Sequence, residues 1–71
     1  MKAPYAIERR LAYCGMLVGG KRRYKFMLVH VVTAEVIEST ATQPSPIAPP
    51  WLRAMQARLN SRAMLDAMHV Y

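Results

Sequence analysis

A proline-rich stretch divides the chain into two parts with different sequence patterns. Four of the twelve residues in 39–50 are proline, which has no backbone N–H and interrupts helices and central strands. The part before it has strand-like segments around a pair of glycines, and in the part after it apolar residues recur every three or four positions. We therefore predict one α+β domain, with a small antiparallel β-hairpin or sheet in 1–38, a Pro-rich linker in 39–50 and a C-terminal helix in 51–69 packed on the sheet.

Adjacent glycines, Gly19 and Gly20, predict where the hairpin turns. Glycine adopts positive φ without steric cost, and both central residues of a type I′ turn have positive φ. The stretches on either side, 11–18 and 21–32, have the composition of strands. In the second stretch, the residues next to the glycines are polar and the later ones are apolar. This pattern is typical of a hairpin whose tip lies in solvent and whose base lies in a core.

Two shorter segments fit more than one structure. Residues 4–10 fit a helix that has Pro4 in its first turn, and they fit strand alternation equally well. We favour an extended arm or strand that leads into the hairpin. Residues 33–37 either continue the second strand or begin a helical turn, and their β-branched side chains favour the strand.

The helix is predicted to begin near Pro50, because proline is favoured at the first helical position. One apolar stripe is expected to pack on the sheet, and a second apolar side with Met64 and Met68 then needs another cover. Trp51 either packs on the core or stands out as a binding anchor, and the small size of the chain favours packing. The stripe consists of Leu52, Met55, Leu59, Ala63, Ala67 and Val70.

Several classes of function find no support in the sequence. Cys14 is the single cysteine, and Cys14, His30 and His69 lack the spacing of a zinc site, so we expect no disulfide, metal or cofactor. The glycine pair lacks the other residues of a P-loop, and no base is recognisable beside a nucleophile, so we expect no enzymatic activity. No apolar run approaches the roughly 18 residues of a membrane span and no signal-peptide core is present, which predicts a cytoplasmic protein.

Positive charge is concentrated in the first third of the chain. Residues 1–26 contain seven Lys or Arg residues and one acid, which equals the whole formal net charge of +6. Exposed charges of one sign repel each other, so this asymmetry indicates a surface for an acidic partner. The basic residues suit phosphates and carboxylates alike, and Tyr24 is a candidate for stacking on a base. The predicted partner-binding residues are Arg9, Arg10, Lys21, Arg22, Arg23, Tyr24, Lys25, Trp51, Arg58 and Arg62.

The chain resembles the very small proteins that bacterial viruses make to bind and redirect host RNA polymerase, of the Xanthomonas-phage antiterminator type. The resemblance rests on its length, on the basic run Lys21-Arg22-Arg23-Tyr24-Lys25 and on the Ala/Arg-rich segment WLRAMQARL that begins at Trp51. It implies a non-enzymatic regulator in the host cytoplasm. Such a regulator binds the largest polymerase subunits, displaces the σ factor at initiation and promotes antitermination.

Other functions fit the same residues. A direct RNA- or DNA-binding module would use the basic hairpin tip, with strong salt dependence. A phage inhibitor of another host complex would carry the same features. A helix that lies on a membrane surface is a further alternative, which three arginines on that helix support only weakly. We expect no membrane partner.

Overall fold

The computed structural model describes residues 3–13 and 22–68, which form a three-stranded antiparallel sheet and one helix. The strands are β1 (Tyr5–Tyr13), β2 (Arg23–His30) and β3 (Val36–Ser39), and the helix is α1 (Pro50–Met68). The sheet order is β1-β2-β3, with β2 in the centre. The predicted α+β fold class, a small antiparallel sheet with a C-terminal helix, is confirmed.

Strand β1 consists largely of residues 4–10, whose sequence fitted a helix and a strand equally well. It pairs with β2 from Tyr5 opposite His30 to Tyr13 opposite Arg23, with an irregularity in the register after Leu11. This pairing places apolar side chains of both strands on one side of the sheet. Because a slip by one residue would turn them all to the other side, their burial fixes the register.

The predicted turn at Gly19 and Gly20 lies in 14–21, outside the described residues. The described part of this strand pair ends with Tyr13 opposite Arg23, so the turn at the glycine pair stays a prediction.

The chain reverses after His30, so the prediction that 33–37 continue the second strand was wrong. The backbone N–H groups of Val32 and Thr33 donate to His30 Nδ1 at 3.3 and 3.4 Å. Ala34 then adopts a φ of 64°, in the left-handed region, and its N–H donates to the His30 carbonyl at 2.8 Å. This turn brings β3 back along β2, and it gives the His30 ring a structural role.

Residues that follow β3 continue along the edge of β2. The Thr40 side chain is buried; its hydroxyl accepts from the Phe26 N–H at 3.1 Å, and its own N–H donates to the Phe26 carbonyl at 2.9 Å. Further on, the backbones of Gln43 and Tyr24 exchange hydrogen bonds of 2.7 and 2.9 Å. The first part of the predicted linker 39–50 thus belongs to the sheet edge, and its last residue, Pro50, opens α1.

The core lies between the sheet and the first half of α1. Leu28 and Leu52 are completely buried, and Phe26 lies beside them. Of the predicted stripe, Leu52, Met55 and Leu59 pack on this core, whereas Ala67 is exposed and Val70 lies outside the described residues. The partly buried side chains around the core are Tyr5, Ile7, Tyr24, Ala48, Met55 and Leu59.

Side-chain amides on α1 attach the helix to the outer edge of β1. Asn60 Oδ1 accepts from the Tyr5 N–H at 2.9 Å, and Asn60 Nδ2 donates to the Tyr5 carbonyl at 3.1 Å. Gln56 Nε2 donates to the same carbonyl at 3.2 Å. Asn60 therefore satisfies both backbone groups of one edge residue, as a neighbouring strand would, and it sets where the helix crosses the sheet.

Trp51 does not pack in the core, in contrast to the sequence-based preference. Its side chain is 50% exposed, whereas the adjacent Leu52 is completely buried. Successive helical residues point about 100° apart, so a helix that directs Leu52 at the sheet leaves Trp51 at its side. Only one of the two neighbours can occupy the centre of so small a core.

Candidate partner-binding surface

Alternation along β1 and β2 divides their side chains between two faces of the sheet. We call the side of the sheet on which α1 packs the covered face. We call the opposite side the open face, because no described helix or strand packs on it. The covered face carries Tyr5, Ile7, Tyr24, Phe26 and Leu28. The open face carries Ala6, Glu8, Arg10, Lys25, Met27 and Val29.

Two predicted partner-binding residues, Arg10 and Lys25, are direct cross-strand neighbours on the open face. Like charges directly opposite each other destabilise a sheet. Within residues 3–13 and 22–68, the single salt bridge joins Arg10 to Glu8 at 3.9 Å, and both side chains are more than half exposed. An exposed pair of this length contributes little. The two cations therefore remain available to an acidic partner.

Arg9, the sequence neighbour of Arg10, is engaged within the fold. Its guanidinium carbon lies 5.3 Å from the centre of the Tyr24 ring, in a cation–π arrangement. Its NH1 group donates to the Pro46 carbonyl at 3.0 Å. These contacts hold the proline-rich segment against β1, so Arg9 has a structural role that its charge alone did not reveal.

Arg23 is engaged in a similar way. Its Nε donates to the Thr42 hydroxyl at 3.1 Å and its NH2 group donates to the Thr42 carbonyl at 2.9 Å. The planar guanidinium thus binds the segment that runs beside β2 with two parallel donors. Arg22, immediately before β2, is exposed, and Lys21 lies outside the described residues.

Tyr24 is half-buried on the covered face. It packs against the core, and Arg9 lies over its ring. Base stacking requires an aromatic ring whose face is open to the nucleic acid. The predicted stacking role of Tyr24 would therefore require Arg9 to move away first.

The helical candidates form a separate surface. Trp51, Arg58 and Arg62 are exposed on α1, and their spacing places them on one side of the helix within about 40°. Because α1 packs on the covered face, this side of the helix and the open face lie on opposite sides of the sheet. The structure therefore does not gather the nine described residues of the predicted set into one site.

A shallow hollow on the open face was not predicted from the sequence. Its volume is about 280 Å³. Val29 forms its floor and is only 7% exposed, although no described element covers this face. The sequence did contain a signal for this hollow, because small and aliphatic residues alternate with the covered ones along β1 and β2. The residues lining the hollow are Ala6, Glu8, Arg10, Met27, Val29, His30, Val31, Ala34 and Val36.

Comparisons with known proteins give no relative from which a function could be transferred. No protein-family model, curated protein or solved structure matches the chain. Among the described residues, no helix is long and apolar enough to cross a membrane. In the same part of the chain, no three His, Cys, Asp or Glu side chains are grouped so that they could hold a metal ion.

Proposed function

We propose that the protein is a non-enzymatic, stoichiometric regulator that binds bacterial RNA polymerase in the host cytoplasm. In this role it inhibits σ-dependent initiation and promotes antitermination, as the resemblance to small phage regulators implies. The observation that carries the proposal is the opposed pair of cations, Arg10 and Lys25, on the open face.

The fold itself gains little from this pair. Arg9 and Arg23 bind backbone and side-chain oxygens of the neighbouring segment. Arg10 and Lys25 instead oppose each other, and Arg10 has one exposed ion pair of 3.9 Å with Glu8. Their mutual repulsion is relieved when a partner brings acidic groups between them. Arginine binds a carboxylate with two parallel hydrogen bonds, which makes the site selective in geometry as well as in charge.

A protein partner is favoured over single-stranded nucleic acid. The aromatic rings of β1 and β2 whose surroundings are described, Tyr5, Tyr24 and Phe26, all lie on the covered face and pack at the core. None of these three rings lies on the same face as Arg10 and Lys25. Single-strand binding depends on such rings, whereas carboxylates on a protein require only the cations.

The alternative is direct binding of RNA or DNA through the backbone phosphates. The net charge of +6 favours it, and phosphate contacts do not require stacking. Inhibition of a different host complex is a further alternative with the same acidic-partner chemistry.

The test begins with affinity capture from a nuclease-treated bacterial lysate, followed by binding to purified RNA polymerase. We expect polymerase subunits in the capture, saturation at one protein per polymerase, reduced σ-dependent initiation and increased terminator read-through in transcription assays. Capture that disappears after nuclease treatment supports the nucleic-acid alternative. Intact polymerase that does not bind the purified protein rejects the proposed function.

A matched pair of double variants identifies the surface. Arg10→Ala/Lys25→Ala removes the open-face cations, and Arg58→Ala/Arg62→Ala removes the same charge from α1. We expect the first variant to lower polymerase affinity by at least about tenfold, or about 1.4 kcal/mol, and the second to lower it less. The reverse order would assign the contact to α1.

A further inference from the structure

The open face is aliphatic at one end and cationic at the other, and the hollow extends from the aliphatic end to Arg10. Across the sheet, Val29 lies between Ala6 on β1 and Val36 on β3, and together they form the apolar end. Further along β1 and β2, Arg10 and Lys25 form the cationic end. Val36, at the rim, is 52% exposed. Apolar area and charge are therefore arranged in a fixed order along the strands.

The width of the open face fits one α-helix. Three strands spaced about 4.8 Å apart give a face about 10 Å wide between its outer strands. An α-helix with its side chains has a diameter of about 10–12 Å. Sheets bury an apolar face against a helix or a second sheet, and α1 already does this on the covered face.

The spacing along the strands sets a distance for the partner. Ala6 and Arg10 are four residues apart on β1, or about 13 Å at 3.3 Å per residue. A helix covers about 11–12 Å in seven or eight residues at 1.5 Å each, and these are the positions near this distance that share a face with the first residue. Glu8 lies between the two ends on the same face, so a partner carboxylate at that intermediate position would be repelled.

We propose that an amphipathic helix of the partner protein docks on the open face. Its apolar anchor sits on the hollow at Val29 and Val36, and its acidic residues, seven and eight positions away on the same face of the helix, reach Arg10 and Lys25. This inference rests on the proposed function and specifies the partner's contact element. A second copy of this chain fits less well, because α1 carries three arginines and one acid and would bring positive charge to the cationic end.

The first test uses purified RNA polymerase and two variants with the same change. Val36→Lys places a charge at the rim of the hollow on an edge strand, where lysine is well tolerated. Val32→Lys is the control, because Val32 is 81% exposed in the turn before β3 and does not line the hollow. We expect Val36→Lys to lower polymerase affinity at least about tenfold and Val32→Lys to leave it nearly unchanged.

Equal affinities of these two variants for polymerase, with wild-type binding intact, would overturn the docking inference while the proposed function stands. Circular dichroism and urea unfolding of both variants check that the fold is retained. If Val36→Lys fails to fold, Val36→Thr, which keeps the side-chain shape and strand preference, takes its place with Val32→Thr as its control.

The second test does not depend on polymerase. A synthetic amphipathic helical peptide carries an apolar anchor and, seven and eight residues further on, two glutamates on the same face. Its binding to the isotope-labelled protein is followed by NMR. We expect shifts at Ala6, Val29 and Val36 together with Arg10 and Lys25, and weaker binding when the glutamates are replaced by glutamines or moved to about four residues from the anchor.

The two tests separate the two claims. Failure of the protein to bind polymerase rejects the proposed function, and the peptide titration still decides the docking surface. A peptide that does not bind, or that binds with shifts confined to α1, would overturn the inference. Equal binding of all three peptides would also contradict it, because the proposed spacing between anchor and acids would then have no effect.

Discussion

The covered and open faces come from the same two strands, yet they have opposite physical roles. The covered face places Ile7, Phe26 and Leu28 against α1 and holds its aromatic rings in or beside the core. The open face alternates with it and carries small or aliphatic residues followed by charged ones. One helix covers one face of a sheet, so the side chains of the other face are left for solvent or a partner.

The difference between the two faces is visible in two adjacent residues, Arg9 and Arg10. Arg9 points to the covered side, where it lies on Tyr24 and bonds to Pro46. Arg10 points to the open side, opposite Lys25. The same side chain therefore stabilises the fold at one position and is presented to a partner at the next, because successive strand residues point to opposite faces.

The largest expected effect is a difference in unfolding free energy between substitutions on the covered face and on the open face. Leu28→Ala removes a completely buried side chain and should cost about 2–5 kcal/mol, comparable to the whole stability of about 3–5 kcal/mol that a core of this size supplies. We therefore expect a largely unfolded protein by circular dichroism and urea titration. Val36→Ala on the open face is the control and should change the stability by only about 0.5 kcal/mol. Similar losses in both variants would mean that the open face is also part of the core.

The next effect tests how α1 is held on the covered side. Asn60→Ala removes the partner of the Tyr5 N–H and one of two donors to its carbonyl. We expect a loss of about 1–2 kcal/mol in urea unfolding, together with faster hydrogen exchange at the Tyr5 amide. Ser61→Ala, at the next and exposed helical position, serves as the control. Unchanged exchange at Tyr5 would contradict the proposed attachment.

A smaller effect contrasts the two neighbouring arginines. Arg9→Met loses the contact with Tyr24 and the bond to Pro46, and we expect a loss of about 1 kcal/mol in unfolding free energy. Arg10→Met removes a like-charge contact with Lys25, so the stability should stay the same or rise by a few tenths of a kcal/mol. Polymerase affinity should show the opposite order, with the larger loss for Arg10→Met. Equal stabilities would contradict the distinction between the two residues.

The smallest effect concerns the side of α1. Trp51→Ala should change the unfolding free energy by only about 0.5 kcal/mol, because half of the side chain is exposed and Leu52 occupies the core. Its effect on polymerase affinity should be smaller than that of Arg10→Ala/Lys25→Ala. A loss of several kcal/mol in stability would show that Trp51 packs inward after all. A larger loss of affinity would extend the contact to α1.

The parts of the fold that could be predicted are those with local signals. Proline at 50 marks the start of α1, and the spacing of Leu52, Met55 and Leu59 predicts which side of the helix packs. The reversal after His30 had no comparable signal, because it depends on ring-to-backbone hydrogen bonds and a non-glycine residue with positive φ.

For the candidate site, sequence alone identified the basic residues but treated them as one group. Contacts with Pro46 and Thr42 separate Arg9 and Arg23 from the others. Those oxygens lie 37 and 19 residues away along the chain, so no local pattern indicates them. Trp51 was assigned to the core because the chain is small, although the spacing of Leu52, Met55 and Leu59 had already placed the packed side of the helix elsewhere.

The amino-acid sequence by itself determined the α+β class, the start of the helix and the concentration of positive charge in the first third of the chain, because these follow from local spacing and composition. The tertiary structure decided which face of the sheet α1 covers, and with it which cations are displayed. The physical reason is that strand alternation distributes residues equally between two faces. Only the docking of α1, through Leu52 in the core and the Asn60–Tyr5 hydrogen bonds 55 residues apart in sequence, makes the faces different.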